Sequence, residues 1–556
     1  MRAPDATPAE RWAADELQDH LQRATGRRLP VVDAPAAVAS GRFLVGPRPG
    51  DPPRAPEEQW IRIAPGEVAL SGGRPRGTLY AVYAFLEEHL GVRFLTADHT
   101  HVPRLVGSRP LSPGERAARP RFSFRWPFAG EVNADPVFAA RLRVNAVSDD
   151  PRVGGRDPHG LVSHSFLHLL PSRLHGREHP DWYALREGKR LAPFEQDATT
   201  TQPCLTHPEV RRRITEQLLR ALELHPELRT LSVSQNDNAL HCQCQACRAL
   251  DEREGTPMGS LLTLVNAVAD EVGKRRPDVK VGTLAYWYTR KPPRSLRPRD
   301  NVQIQLCSIE CCLVHPLDDP ACPRNAEFCR DLQAWSEVAR DVRVWSYDAN
   351  FSDYLLPCPS LGALGPNLRF LAARGVQGVF LQAAGDARGA ELSELRAWVS
   401  ARLLWDPARD GDALVREFVQ LHYAEAAAPV LRFILLAQGR AAARGLHPNC
   451  FGRAADYGLD AELGLAGLLA FEEALSLARS DAVRARVEQA SIPALRLALE
   501  PAWEADGPLP AEEAARLRPL ARRLFELCAR HGVTHARERV PLAQARERVQ
   551  RALGGW

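Results

Sequence analysis

Apolar residues recur at helical spacing at both ends of the chain and in short runs between them. Near the N-terminus Trp12, Ala13, Leu17 and Leu21 mark one face of a helix. Short strands are expected at "RFLVG" and "EVALSGG", followed by a long amphipathic segment, "GTLYAVYAFLEEHLGVRFL". These elements predict a small α/β domain over residues 1–110, and "SRPLSPGERAARPRF" reads as a linker. From 120 to 405 the pattern becomes strand, loop, helix, repeated. Strand candidates are "RFSFRW", "RVNAVS", "SHSFLHLL", "RTLSVSQ", "VKVGTLAYW", "VQIQLCSI", "VRVWSY" and "VQGVFLQ", most of them separated by helical stretches such as "MGSLLTLVNAVADEVGKRR". Eight such units predict an α/β fold built on a (β/α)8 TIM barrel. Residues 406–556 are Leu- and Ala-rich with helical periodicity and predict an α-helical C-terminal domain.

Composition narrows the function classes. With 556 residues, 45% of them hydrophobic and 25% charged, the chain is long enough for several packed domains. A net charge of +4 over 72 basic and 68 acidic residues gives no reason to expect nucleic acid or an anionic membrane as partner. No apolar run is long enough to span a bilayer. The N-terminus lacks the basic-then-apolar pattern of a secretory leader. This reads as cytoplasmic, or as secreted or periplasmic if a leader has been trimmed. Oligomeric state and the role of the helical domain are not legible, because an apolar helix face packs equally well on the barrel or on another subunit.

If the barrel forms, chemistry belongs where its strands end. Strand one ends near Arg125 and Trp126, strand two at Asn145, and strand three holds His164 and His168 on one face. Strand four ends at Gln235, Asn236 and Asp237, strand five at Tyr286 and Trp287, strand six at Glu310. Strand seven brings Trp345, Tyr347 and Asp348, and strand eight Gln382. Aromatic rings, amides and a few carboxylates form a sugar-binding inventory, since rings stack on apolar sugar faces while amides and carboxylates take the hydroxyls. Tyr183 and Arg186, in a loop with a short hairpin at "HPDWYALREGKR", extend it.

Two of the carboxylates, Asp237 and Glu310, are expected to face one another across the barrel mouth. Glycoside hydrolysis uses such a pair, one to protonate the leaving oxygen and the other to stabilise charge at the anomeric centre. With an N-acetylated sugar, the substrate's own amide attacks and the second carboxylate orients it. The competing reading is that one of the two is a salt-bridged structural acid.

Cysteines concentrate in the same region. Cys242, Cys244 and Cys247 form C-x-C-x2-C, and with Cys204 they predict a closed structural zinc site pinning the loop after strand four, with free thiols or a disulfide as the alternatives. Four thiolates leave no open position for a catalytic water, so no catalytic cofactor is expected. Cys307, Cys311 and Cys312 read as a packed rim around Glu310.

The phrases "TPAERWAADELQDHLQRATGRRLPVV" and "SGGRPRGTLYAVYAFLEEHLGVRFL" resemble the small domain that precedes the barrel in family 67 α-glucuronidases and family 20 hexosaminidases. "HPDWYALREGKR", "QPCLTHPEV", "SVSQNDNALHCQCQAC", "CSIECCLVHPL" and "LLWDP" resemble the domain of unknown function numbered 4838, which characterises glycoside hydrolase family 163. The resemblance implies a retaining endo-β-N-acetylglucosaminidase cleaving glycans or glycoproteins of the complex N-glycan type by substrate-assisted catalysis. Two departures leave the roles of the acids open: Asp237 is followed by Asn238, and Ser346 stands where similar sequences carry Asp. An exo-acting β-hexosaminidase, a glucuronidase-like hydrolase and a non-catalytic carbohydrate-binding protein are the alternatives.

Overall fold

The structure is a computed structural model that describes residues 1–3, 5–33, 41–106, 110–193 and 200–556. Its first helix, Pro8–Thr25, starts where Thr7 and Glu10 form a reciprocal capping box. Glu10 N donates to Thr7 Oγ1 at 3.2 Å and Thr7 N to Glu10 Oε2 at 2.8 Å, and Gly26 closes the other end in the left-handed region.

A four-stranded sheet follows in the N-terminal part: β1 (Arg42–Val45), β2 (Gln59–Ala64), β3 (Glu67–Gly72) and β4 (Gly114–Ala118), in the order β1-β3-β2-β4. β1 runs parallel to β3, and β2 is antiparallel to both β3 and β4. β4 comes from the segment expected to be a linker. Its side chains are mostly exposed, so no apolar pattern announces it, and only backbone pairing with β2 defines it. The early linker residues 108 and 109 lie outside the described residues.

Helix Gly77–His89 is not the amphipathic surface helix its pattern predicts, since residues 77 to 86 are all buried. It is apolar all round because both sides are covered. Tyr80 packs edge-on against Trp405, and Glu87 pairs with Arg143 and Arg402 of the central part. A second buried ion cluster joins the two parts, with Glu57 accepting from Arg76 at 2.7 Å and from Arg125 at 2.8 Å. Burial alone would raise the Glu57 carboxyl, but the two arginine charges outweigh it and hold it below its ordinary 4.5. Glu87 is lowered likewise, burial being outweighed by Arg143 and Arg402. Both carboxylates bind protons more weakly folded than unfolded. Their contribution is therefore complete above 4.5 and lost as pH falls through the lower folded values. Glu57→Gln is expected to remove part of this acid dependence, flattening the loss of circular dichroism in a stepped acid titration, while lowering stability at neutral pH.

The central part holds β5 (Phe124–Phe128), β6 (Thr230–Ser232), β7 (Lys280–Ala285), β8 (Val302–Cys307), β9 (Asp341–Tyr347) and β10 (Gly378–Gln382). They form one parallel sheet in the order β6-β7-β8-β9-β10-β5, a curled half-barrel with helices outside. β7, β8 and β9 are buried almost throughout, as a sheet covered on both faces requires.

Two expected strands do not form. "RVNAVS" is turn and bend, and "SHSFLHLL" contains the short helix Phe166–Leu169. Serines explain the second case, because side chains replace the ladder. Ser163 N donates to Ser232 Oγ at 3.1 Å, and Ser234 N donates to Ser165 Oγ at 2.9 Å. Val162 presses onto β7 at Gly282, where an added Cβ would lie 2.1 Å from Val162 Cγ2. Only glycine admits this segment.

The C-terminal part is helical as expected, with Gly411–Tyr423, Ala427–Ala443, Ala461–Leu477 and Ala511–Arg530 close to their periodic segments. It also contains an unexpected hairpin, β11 (His535–Arg537) and β12 (Val540–Pro541).

Candidate active site

The "QND" stretch after β6 divides its labour. Gln235 and Asn236 are each 2% exposed and hold backbone. Gln235 Nε2 donates to Tyr286 O and Thr289 Oγ1, both at 2.9 Å. Asn236 Oδ1 accepts from Leu167 N at 2.7 Å, and its Nδ2 donates to Thr201 O at 2.8 Å. With its two predecessors locked, Asp237 projects outward, its side chain 55% exposed.

Asp237 borders a cavity of about 250 Å³ at the C-terminal ends of the strands. The cavity is lined by His164, Asp237, Tyr286, Trp345, Tyr347 and Gln382, six of the residues expected from sequence, together with Leu284, Cys307 and Ile309. The Tyr286 hydroxyl donates to Asp237 Oδ1 at 3.1 Å. Burial, then the Asp237 charge, pushes the Tyr286 phenol up, so it stays a donor at every ordinary pH. His164 Nδ1 donates to Gln235 O at 2.6 Å, which leaves Nε2 facing Asp237 Oδ1 at 3.8 Å. Trp345 Nε1 donates to Gln382 Oε1 at 2.8 Å and fixes both side chains in the wall.

Other expected residues stand elsewhere. Arg125 is 1% exposed and belongs to the Glu57 cluster. Asn145 accepts from Arg125 N and donates to Ser123 O and Glu57, at the start of β5 and away from its C-terminal end. Gln235 and Asn236 are the scaffold described above and do not line the cavity. Trp126 packs in a three-ring cluster with Phe128 and Phe380, its Nε1 donating to Asn133. Trp287 is 51% exposed beside Tyr286, outside the cavity lining. Tyr183 is buried with its hydroxyl donating to Leu170 O, while its hairpin, Leu185–Arg186 with Lys189–Arg190, forms as expected. Asp348 is buried in an ion pair with Arg396.

Glu310 is ion-paired with Arg290 at 3.0 Å, and Arg290 is held in turn by Asp331 and Glu327. Its carboxylate is not among the groups lining the cavity. Six lining residues were not singled out from sequence: Leu284, Ile309, Phe351, Phe451, Glu538 and Arg539. Glu538 and Arg539 form the turn between β11 and β12, with Arg539 in the left-handed region at φ 58°. That conformation costs a bulky residue about 1–3 kcal/mol and is held by neighbours. Arg539 N donates to Asp386 Oδ2 at 3.1 Å, and Glu538 N donates to Phe351 O at 3.2 Å. Burial raises the Glu538 carboxyl above its ordinary value; Arg539 opposes this, and Asp386 and Asp237 add to it. No periodicity signals a two-residue turn that folds onto a sheet from far along the chain.

The sulfurs of Cys204, Cys242, Cys244 and Cys247 all lie within 4.8 Å of one another. Cys242 Sγ also accepts from Leu185 N at 3.3 Å. Hydrogen bonds from Cys242 and Cys247 hold the Cys204 thiol well below the usual range, and the same contacts push the Cys242 and Cys247 thiols up; four converging sulfurs are the donor type that zinc selects.

Residues 94–435 match the family described as "Domain of unknown function (DUF4838)". The chain belongs to the DUF4838 family. The match spans the whole half-barrel and ends inside the helical part. No curated protein matches this DUF4838 chain. Among solved structures, it is similar to BtGH115A, reported as a family GH115 4-O-methyl-alpha-glucuronidase with specificity for decorated arabinogalactans. That likeness covers 96% of this chain and 76% of the other, with 10% identity and a TM-score of 0.56. It is also similar to a protein reported as a GH138 enzyme targeting pectin rhamnogalacturonan II, over 95% of this chain and 73% of the other, with 9% identity and a TM-score of 0.40. At 10% identity the first likeness is one of fold, and the second is too weak to argue from.

Proposed function

We propose that this chain is a retaining glycoside hydrolase working at the Asp237 cavity without a catalytic cofactor. The observation that carries the proposal is an outward-facing carboxylate, held by a tyrosine hydroxyl, in an aromatic-lined cavity that also contains a second acid with a raised pKa. A carboxyl raised in pKa by its surroundings, with a second carboxyl in the same cavity, suits a general acid. Asp237 serves as the anion at the anomeric side. Glu310, the partner expected from sequence, is taken up in an ion pair with Arg290, and its carboxylate does not line the cavity. Proton donation therefore falls to Glu538.

The finer reading is an endo-β-N-acetylglucosaminidase of the family 163 type acting on N-glycan chains. Its support is the sequence resemblance and the Tyr286–Asp237 pair, which offers an acetamido group one donor and one acceptor side by side. A second reading, an exo-acting enzyme for a terminal uronic sugar, is supported by two features. Arg539, a cationic residue, is among those lining the cavity, and the cavity of about 250 Å³ is below the ~300–1,000 Å³ typical of larger ligands. We further propose that Cys204, Cys242, Cys244 and Cys247 hold a structural zinc behind the Asp237 loop.

Mass spectrometry of products from a complex N-glycoprotein and from uronate-capped oligosaccharides separates the readings. Release of chains ending in one N-acetylglucosamine supports the endo reading, and release of a free uronic acid supports the exo reading. Glycan binding without any product, unchanged in Asp237→Asn, supports the non-catalytic binding protein. Glu538→Gln is expected to slow poor leaving groups by about 10²-fold or more while sparing activated aryl glycosides, and to remove the alkaline limb of the pH–rate profile. Arg539→Gly relieves the left-handed residue and is expected to raise KM for uronides alone.

A further inference from the structure

Beyond the loop that carries Glu310, Cys312, His315 and Cys322 converge with His447, which lies 125 residues after Cys322. The four donor atoms lie within 4.8 Å of one another. Cys312 Sγ is 3.3 Å from His315 Nδ1, and Cys322 Sγ is 3.2 Å from His447 Nδ1. A tetrahedral zinc with bonds of about 2.3 Å to sulfur and 2.0–2.1 Å to nitrogen sets its sulfur and nitrogen ligands roughly 3.5 Å apart. The observed separations are close to that edge. The two imidazole rings sit 4.5 Å apart between centroids.

The surroundings hold the donors in place. Cys312 and Cys322 are buried at 1% and 0% exposure, against Val314 and Ala441. Asn325, itself fully buried, accepts from Cys312 N at 2.8 Å and donates to His315 O and Pro316 O, both at 3.1 Å. It therefore fixes the backbone around two of the four donors. Leu313 N donates to Pro448 O at 2.9 Å, bringing the segment that carries His447 alongside.

We propose that Cys312, His315, Cys322 and His447 form a second, structural metal centre that binds zinc. Two thiolates and two imidazoles select zinc over harder cations, and four protein ligands leave no position for substrate. The centre clamps the loop after β8 to the segment after helix Ala427–Ala443. That segment continues to Phe451, which walls the Asp237 cavity. The centre thereby ties the helical part to the cavity and draws on Cys312 of the packed cysteine rim, while Cys307 and Cys311 stay buried in that rim.

The test is zinc content and zinc X-ray absorption on the full chain expressed with zinc. Wild type is expected to carry a shell containing both sulfur and nitrogen. Cys204→Ser/Cys242→Ser isolates the centre and is expected to retain one zinc with two sulfurs and two nitrogens. Cys312→Ser/His447→Ala is expected to lose one equivalent. Wild type with no zinc, or with zinc bound by sulfur alone, overturns the proposal. So does a Cys312–Cys322 disulfide found by mass spectrometry after alkylation without reduction. If the variants do not fold, the nitrogen contribution in the wild-type spectrum decides by itself.

Discussion

Asp237→Asn is expected to lower the proposed glycoside hydrolysis by about 10²–10⁴-fold, the range for losing a positioned acid or base, with the unfolding transition left in place. The side chain is 55% exposed, and its contacts are one tyrosine hydroxyl and a histidine nitrogen at 3.8 Å. Asparagine keeps the shape and still accepts from Tyr286, so stability should move by no more than about 0.5 kcal/mol, as at ordinary surface positions. The amide cannot carry the negative charge that the anomeric centre requires. Initial rates on an aryl glycoside, paired with a thermal melt, check both halves. If the site acts by substrate assistance, the defect persists on activated leaving groups, which distinguishes Asp237→Asn from Glu538→Gln. Full activity in Asp237→Asn would remove this residue from the chemistry and send the search to Glu310 and Glu538.

The largest stability effect is expected at Arg396. It is 3% exposed and bridges two buried acids, reaching Asp348 at 3.0 Å, Ser360 at 2.7 Å and Glu391 at 2.6 Å. Asp348 directly follows Tyr347, a cavity residue, so the cluster underlies the site. Arg396→Met leaves both carboxylates buried without a counter-charge and should cost about 3–5 kcal/mol. Lysine should not rescue it, because one ammonium cannot reproduce a planar fork between two acids. Burial already raises Asp348 and Glu391 despite Arg396, and removing the arginine raises them further. Acids with raised folded pKa bind more protons folded than unfolded. Their stability contribution is therefore lost as pH rises through the folded values. The deficit of Arg396→Met should be smaller near about pH 5 than near about pH 7.5, read as the difference in Tm from wild type. A deficit independent of pH would mean that lost packing, not the uncompensated acids, dominates.

Legibility from sequence followed the physics of each element. β7, β8 and β10 lie within their apolar runs, and β9 covers its run with Asp341 added in front, because a parallel sheet covered on both faces demands such runs. The long C-terminal helices were legible because an amphipathic period persists over many residues. β4 was missed because an edge strand with exposed side chains carries no apolar signal. "SHSFLHLL" was misassigned because serine hydroxyls on both segments, Ser232 and Ser165, accept from the backbone N–H groups of Ser163 and Ser234, and composition does not reveal where a hydroxyl points. In the site, Asp237, Tyr286, Trp345, Tyr347 and Gln382 were legible as strand-end residues, because every strand end of a parallel sheet opens on the same face, whereas His164 reaches the cavity from a segment that forms no strand. Arg125 and Asn145 were misplaced because a strand's face and end follow from register and from what packs on it, and here the Glu57 cluster claims both.

The sequence alone determined an α/β core with helices behind it, the Asp237 strand end and the Cys204 cluster, since these depend on periodicity and on spacing within short segments. Tertiary structure alone decided which acids share the cavity. Glu310 is claimed by Arg290, whereas Glu538 and Arg539 arrive from a hairpin near the chain's other end. It also brought His447 to Cys322 across 125 residues. Contacts of that range are set by how the helical part docks on the sheet, and docking is a property of surfaces that no local pattern encodes.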